Sequence, residues 1–205
     1  MAAASFWIDH SVIDSIRSNL WPYEMTGPVW PVLTASMLGK YGDWPQLMVA
    51  GFILYAVARR LRRPQLARVC LILMLGSTLA GATVNTLRLT TGRTRPSNQE
   101  IQGWVGPYHE GQFTIGRHAF NAFPSGHTAT AFGFFGPLLF SPYWRMGLLL
   151  LPFPVAIGIA RVLTLSHQPS DVLCSIWISL LISAILVIGL ERRRQAKKTP
   201  LPAKG

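Results

Sequence analysis

Residues 160–190 read ARVLTLSHQPSDVLCSIWISLLISAILVIGL. Arg161, His167 and Asp171 stand at its start, and the run from 172 to 190 carries no charged residue. An uncharged run of that length meets the requirement of roughly 20 apolar residues for a helix that crosses the hydrocarbon core of a bilayer. Ionisable groups gathered at the lip of such a run are costly to keep there, so their default meaning is functional. The stretch predicts a membrane helix with chemistry at one end.

Working outward, four further segments have the same character: 146–163, 125–140, 69–87 and 44–58, the last being the shortest. The expected fold is all-α, a polytopic transmembrane bundle of five spans. Composition agrees, because charged residues make up 13% of the 205 positions, where soluble domains carry about 25%. An ordinary soluble domain and a disordered chain are both excluded, and the length suits one domain. Cys70 and Cys174 lie inside apolar runs and read as packing residues, not as a disulfide or a metal site.

The net charge of +11 has a topological explanation. Arg59, Arg60, Arg62, Arg63 and Arg68 form one basic cluster, and Arg192, Arg193, Arg194, Lys197, Lys198 and Lys204 form another. Both flank spans, as retention of Lys and Arg on the cytoplasmic side dictates. No nucleic-acid motif accompanies them, so nucleic acid is not an expected partner. Four spans separate the clusters, which puts both inside and places 88–124 and 164–171 together on the extracytoplasmic face. The expected location is a membrane, with a basic cytoplasmic tail over 191–205.

Residues 1–43 precede the 44–190 core. Phe6, Ile8, Val12, Ile13, Ile16 and Leu20 recur near helical spacing with Asp9, Asp14 and Arg17 between them, an amphipathic pattern suited to the membrane interface. The segment 28–39 is apolar but short; taken as a first crossing it would give six spans. No secretory signal with a basic start and a cleavage site is legible.

Three polar clusters fall at span ends on the extracytoplasmic face. Arg88 is followed after six residues by Arg95 and Pro96; Pro124, Ser125, Gly126 and His127 open an apolar helix; Arg161 is followed after five residues by His167 and after three more by Asp171. Ser125 suits an N-cap and Gly126 lets a ligand approach the backbone, so the first free amides of that helix form a phosphate-binding terminus. Pro169 can start a helix on which His167 and Asp171, four apart, share a face. A carboxylate bonded to one ring nitrogen would leave the other free as a nucleophile. Three guanidiniums aimed at one place repel unless an anion lies between them, and planar Arg matches phosphate oxygens. The expected ligand is a phosphate group. With no carboxylate cluster, paired metal-spaced histidines or Gly-rich nucleotide loop, neither a metal nor a nucleotide cofactor is expected.

The chain resembles the type 2 phosphatidic acid phosphatase superfamily, the integral-membrane lipid phosphate phosphatases whose site is shared with vanadium haloperoxidases. Arg88 with Arg95 and Pro96 matches the first motif (Lys, six residues, Arg-Pro), 124–127 the second (Pro-Ser-Gly-His), and Arg161 with His167 and Asp171 the third (Ser-Arg, five residues, His, three residues, Asp). Two positions depart: Arg88 replaces the Lys of the first motif and Ala160 the Ser of the third. The resemblance implies that His167 attacks phosphorus to form a phosphohistidine and that Asp171 polarises its ring. His127 would protonate the leaving group and then activate water, while Arg88, Arg95, Arg161, Ser125 and the Gly126 amide hold the equatorial oxygens without a metal. The implied partners are a phosphorylated lipid and the bilayer, with no obligate protein partner evident. A transporter or binder of phosphorylated lipids is the competing class. A haloperoxidase would have no use for the spans.

Arg93 and Arg117 read as exposed loop residues able to gather anionic headgroups. The loop 91–123, with His109, Glu110 and His118 and with Trp104, Tyr108 and Phe113 along it, reads as a lid at headgroup level. Asn85 reads as a bond to a neighbouring helix.

Overall fold

Proline sets most of the helix starts. In the computed structural model, which describes residues 2–21, 30–98 and 101–196, Pro45, Pro64, Pro152 and Pro169 all stand in first turns, where the missing N–H has no intrahelical partner to lose. The described helices are α1 (Ala2–Leu20), α2 (Trp30–Tyr41), α3 (Trp44–Arg60), α4 (Pro64–Thr91), α5 (Gly126–Leu139), α6 (Trp144–Leu150), α7 (Pro152–Leu163) and α8 (Pro169–Ala196). Asp43 caps α3 by accepting from the Trp44 N–H at 2.8 Å. Gly92 ends α4 in the left-handed region, φ +57°, and a Cβ there would lie 1.9 Å from the Gly106 carbonyl oxygen, so only glycine fits.

The protein is mostly helical. Three stretches, Pro64–Thr91, Trp144–Leu163 and Pro169–Ala196, have the length and apolar composition to cross a membrane. The second is interrupted where 146–163 was expected to run unbroken. Pro152 and Pro154 remove two N–H donors, Leu151 bonds back to the Leu148 carbonyl, and the stretch divides into α6 and α7. The expected tail is helical as far as Ala196. Lys197, Lys198 and Lys204 lie outside the described residues, as do 22–29 (with Pro28), 99–100 and Met1.

α5 lies at the centre, packed on α3, α4, α6, α7 and α8. Leu47, Leu73, Ala131, Phe134, Leu138 and Ile157 form its core cluster. α4 and α5 touch through glycine: a Cβ on Gly76 would sit 2.4 Å from the Gly133 carbonyl oxygen and 2.9 Å from the Pro137 ring. On α8 the faces are inverted relative to a soluble helix. Ser175, Ser179 and Ser183 are buried while Leu173, Trp177, Leu181 and Ile185 face outward, and Ser179 donates to the Ala129 carbonyl of α5 at 3.0 Å. Small polar residues inside and apolar ones outside suit a lipid surround. α2 packs on α7, and α1 lies on α8.

The region between α4 and α5 is folded, not slack. It contains a hairpin, β1 (Tyr108–His109) paired with β2 (Gln112–Phe113), and a short 3-10 turn over His118–Phe120. Trp104 bridges to the Arg93 backbone and packs edge-on against Phe123 at 4.9 Å between ring centroids.

The glycine contact between α4 and α5 generates a prediction. Gly76→Ala forces two backbones apart and lowers stability by about 1–3 kcal/mol, seen as an earlier thermal melt in detergent. Gly189→Ala, whose Cβ meets nothing within 4 Å, leaves the melt unchanged or later. Equal melts for the two variants would refute this packing.

Candidate active site

The C-terminal end of α4, the N-termini of α5 and α8 and the C-terminal end of α7 meet at one end of the bundle, and the backbone stitches them together. The Ser97 N–H donates to the Leu165 carbonyl at 3.0 Å, the Ser125 N–H to the Asp171 carbonyl at 3.2 Å, and the His167 N–H to the Arg161 carbonyl at 3.1 Å. The three polar clusters, whose first residues are 36 and 37 positions apart in sequence, thus meet at one place.

Each arginine is held by carbonyl groups or glycine faces, leaving N–H groups for a ligand. Arg88 Nε donates to the Pro124 carbonyl at 2.8 Å and Nη1 to Asn85 Oδ1 at 3.3 Å. Its guanidinium lies against Gly126, where a Cβ would come within 3.0 Å. Asn85 therefore braces Arg88 on its own helix and does not reach a neighbour. Arg95 Nε donates to the His118 carbonyl at 2.8 Å and Nη1 to the Ser166 carbonyl at 3.3 Å. Arg161 Nη1 lies beside Gly39 of α2, 3.1 Å from where a Cβ would be, and its buried Nε has no hydrogen-bond partner among the described residues. Burial, with Arg88 and Arg161 nearby, pushes the Arg95 pKa down to about 10. Arg95 and burial together hold His118 below its ordinary value.

Ser125 occupies the N-cap position of α5, but its hydroxyl makes no capping bond; it accepts from Thr128 Oγ1 at 2.9 Å. Gly126 begins the helix, so its amide is one of the unbonded first four. His127, one residue on, places Nε2 3.5 Å from Asp43 Oδ2.

His167 is fully buried, in the turn between α7 and α8. The expectation that it shares a helix with Asp171 and bonds to it is corrected. α8 starts at Pro169, after His167, and the ring Nδ1 lies 2.6 Å from the Ala122 carbonyl, with Asp171 Oδ2 more distant at 3.7 Å. A carbonyl can only accept, so Nδ1 carries the proton and Nε2 keeps its lone pair. That Nε2 is buried and has no hydrogen-bond partner among the described residues. Burial first, then the charges on Arg95, Arg88 and Arg161, hold the His167 pKa well below its ordinary value. An unprotonated ring nitrogen within the field of three cations has the chemistry of a nucleophile toward an anion.

Asp171 faces the other way as well. Its Oδ2 accepts from the Gln168 N–H at 2.7 Å and its Oδ1 pairs with Arg93 Nη1. Arg93 is 1% exposed, which corrects its reading as an exposed loop residue. Nη1 also donates to Ser170 Oγ at 2.7 Å, and Nη2 donates to Gln168 Oε1 and, at 2.8 Å, to Asp9 Oδ2. Arg117, by contrast, is exposed and pairs with Gln112. Sequence reasoning missed Asp9, Asp43 and Ala122. A carboxylate just before a helix was a visible capping signal for Asp43; nothing local marks the other two.

Fold and site together define a helical protein with apolar outer faces and, at one end of the bundle, a buried imidazole in the field of three arginines. Residues 65–195 match the PAP2 superfamily, and the chain belongs to that superfamily. A lipid A 1-phosphatase of Rhizobium johnstonii (strain DSM 114642 / LMG 32736 / 3841) is 31% identical over 116 residues, covering 52% of this chain and 43% of that protein. A lipid A 1-phosphatase of Rhizobium etli (strain ATCC 51251 / DSM 11541 / JCM 21823 / NBRC 15573 / CFN 42) is also 31% identical over 116 residues, 52% of this chain and 45% of the relative. The chain thus spans less than half the length of these relatives. The crystal structure of Aquifex aeolicus LpxE has the same fold, with a TM-score of 0.57 at 18% identity over 88% of this chain and 94% of that one.

The crowding of cations around His167 is testable. A free histidine at pH 6 is about three-quarters protonated. In protein labelled with 15N-histidine, the His167 ring stays neutral at pH 6, and inorganic phosphate, by offsetting the guanidiniums, moves its titration upward. An imidazolium signal for His167 at pH 6 without added anion would contradict the geometry.

Proposed function

We propose that the protein is a metal-independent membrane phosphohydrolase that removes phosphate from a lipid phosphate or diphosphate through a phosphohistidine intermediate. The observation that carries this is the bare Nε2 of buried His167 in the field of Arg88, Arg95 and Arg161. A site that only bound phosphate would have no need of an unbonded nucleophile.

In the first step the Nε2 lone pair attacks phosphorus in line, the bond from phosphorus to the lipid oxygen breaks, and His127 gives that oxygen a proton. The nitrogen–phosphorus bond leaves a positive charge on the ring, which the Ala122 carbonyl and the Asp171 carboxylate behind it stabilise. In the second step water attacks phosphorus and returns its proton to His127; the nitrogen–phosphorus bond breaks and inorganic phosphate leaves. Arg88, Arg95 and Arg161, with Ser125 and the Gly126 amide, hold the equatorial oxygens as charge redistributes. The guanidiniums supply the charge a metal would otherwise bring.

In our reading α3 and α5 join the three longer stretches to give five spans. α3 has 17 residues, about 25 Å at 1.5 Å each, and α5 has 14, about 21 Å. α5 is enclosed by other helices and does not need to match the lipid. α2, with 12 residues, reaches only about 18 Å and rests on the bundle. Since 59–68 and the end of α8 lie away from the site, the positive-inside rule orients the site to the extracytoplasmic face of a bacterial inner membrane. The region over 91–123 serves as a wall and lid of the pocket. Candidate substrates are lipid A phosphate, undecaprenyl diphosphate, phosphatidylglycerophosphate and phosphatidic acid. The names of the two relatives support taking the 1-phosphate of lipid A as the first candidate to assay.

Phosphate release from these four lipids in detergent tests the reading. Wild type turns over at least one of them. His167→Ala lowers kcat by about three orders of magnitude or more while still binding the lipid, and His127→Ala lowers it about 10²- to 10⁴-fold. A chelator leaves turnover unchanged. Binding of all four lipids with release of phosphate from none would support a carrier, and loss of activity on chelation would refute the metal-free chemistry.

A further inference from the structure

α1 is docked onto the phosphate end of the bundle at several points. In its last turns Arg17 Nη2 donates to the Pro96 carbonyl at 2.8 Å, and just beyond it Trp21 Nε1 donates to the Leu163 carbonyl at 3.2 Å. Between its ends Asp9, expected on the polar face of an interfacial helix, is 1% exposed. Its Oδ1 accepts from the Ser170 N–H at 2.8 Å, near the start of α8, and its Oδ2 accepts from Ser170 Oγ and from Arg93 Nη2. A carboxylate loses several kcal/mol of hydration on burial unless it is matched. Simple docking of a helix would be served as well by an apolar side chain.

We propose that Asp9 is a positioning residue of the active site, acting through Arg93 on the Asp171 carboxylate behind His167. The proposal rests on the phosphohydrolase reading of that site. Arg93 stands between two carboxylates, one from α1 and one from α8. With Asp9 in place the three groups carry a net charge of −1, and that net charge supports a ring that becomes positive when it is phosphorylated. With Asp9 neutral the same group carries no net charge. Arg93 then draws fully on Asp171, and the ring loses its counter-charge while three guanidiniums still face it. Asp9 also fixes the direction of the guanidinium by holding Nη2, which leaves Nη1 directed at Asp171. α1 is on this account a component of the catalytic apparatus and not only a membrane-surface anchor.

The test compares Asp9→Asn, which keeps shape and removes charge, with Asp9→Glu, which keeps charge and changes shape. Each is assayed for kcat and KM on the lipid phosphate that wild type hydrolyses, with thermal melts in the same detergent. Asp14→Asn, on an exposed position of α1, is the control and keeps full activity. Asp9→Asn is expected to lose about 10- to 100-fold in kcat with KM within about two-fold, and Asp9→Glu to lose less. In a double-mutant cycle, Asp9→Asn adds nothing to Asp171→Asn if it acts through that carboxylate, whereas independent losses multiply. Asp9→Asn with kcat within about two-fold of wild type overturns the proposal, as do multiplying losses or a Glu variant worse than the Asn variant at equal melts. If Asp9→Asn does not fold, Asp9→Glu decides: kcat within about ten-fold of wild type upholds the proposal and a larger loss at a wild-type melt overturns it. A wild type inactive on every lipid would count against the phosphohydrolase reading itself, a separate outcome.

Discussion

Arg93 bears a full positive charge where water is almost absent, and such a group persists only if its charge and its N–H groups are both matched. The matching groups come from Asp9, Gln168, Ser170 and Asp171, so one guanidinium holds the chain in register across more than 160 positions. The same residue acts through its backbone: the Arg93 carbonyl accepts from the Ala122 N–H at 3.0 Å. The Ala122 carbonyl in turn accepts from the His167 ring Nδ1–H. The tautomer of the imidazole thus follows from where Arg93 is anchored, and the rest of the pocket is arranged in front of that ring.

The two sides of His167 differ in their charge balance. Behind the ring, carboxylates outnumber the guanidinium; in front, Arg88, Arg95 and Arg161 raise a positive potential that Asp43 offsets only in part. The imidazole lies in both fields, with Nδ1 3.7 Å from Asp171 Oδ2. In the proposed reaction an oxyanion entering among the arginines relieves their repulsion as it meets His167, and the field is present before the ligand arrives.

The bundle and the three polar clusters were legible in the sequence because each is written in short-range pattern: apolar run length, proline and glycine at helix ends, and fixed spacing within a cluster. The partner of His167 was not. Spacing of four suggested Asp171, yet Pro169 starts the helix too late to include His167, and the bond goes to a backbone carbonyl 45 positions earlier. Backbone acceptors leave no trace in residue type. Asp9 was misread for a related reason, since a single carboxylate among exposed polar neighbours carries no sign of a buried cation in a distant loop. Arg93 was read as one more basic loop residue because nothing nearby in sequence balances its charge.

Arg88 departs from the lysine of the family pattern, and its setting gives that departure a meaning. Its Nε is tied to the Pro124 carbonyl, its Nη1 to Asn85, and its flat face rests on Gly126. Long basic side chains hold about 2 kcal/mol of rotamer entropy, and here folding has already removed most of it. For the proposed phosphate ligand, a lysine tether at this position would still have to be immobilised on each arrival, whereas the arginine behaves as part of the wall, so capture at this corner would begin from a surface that is already set.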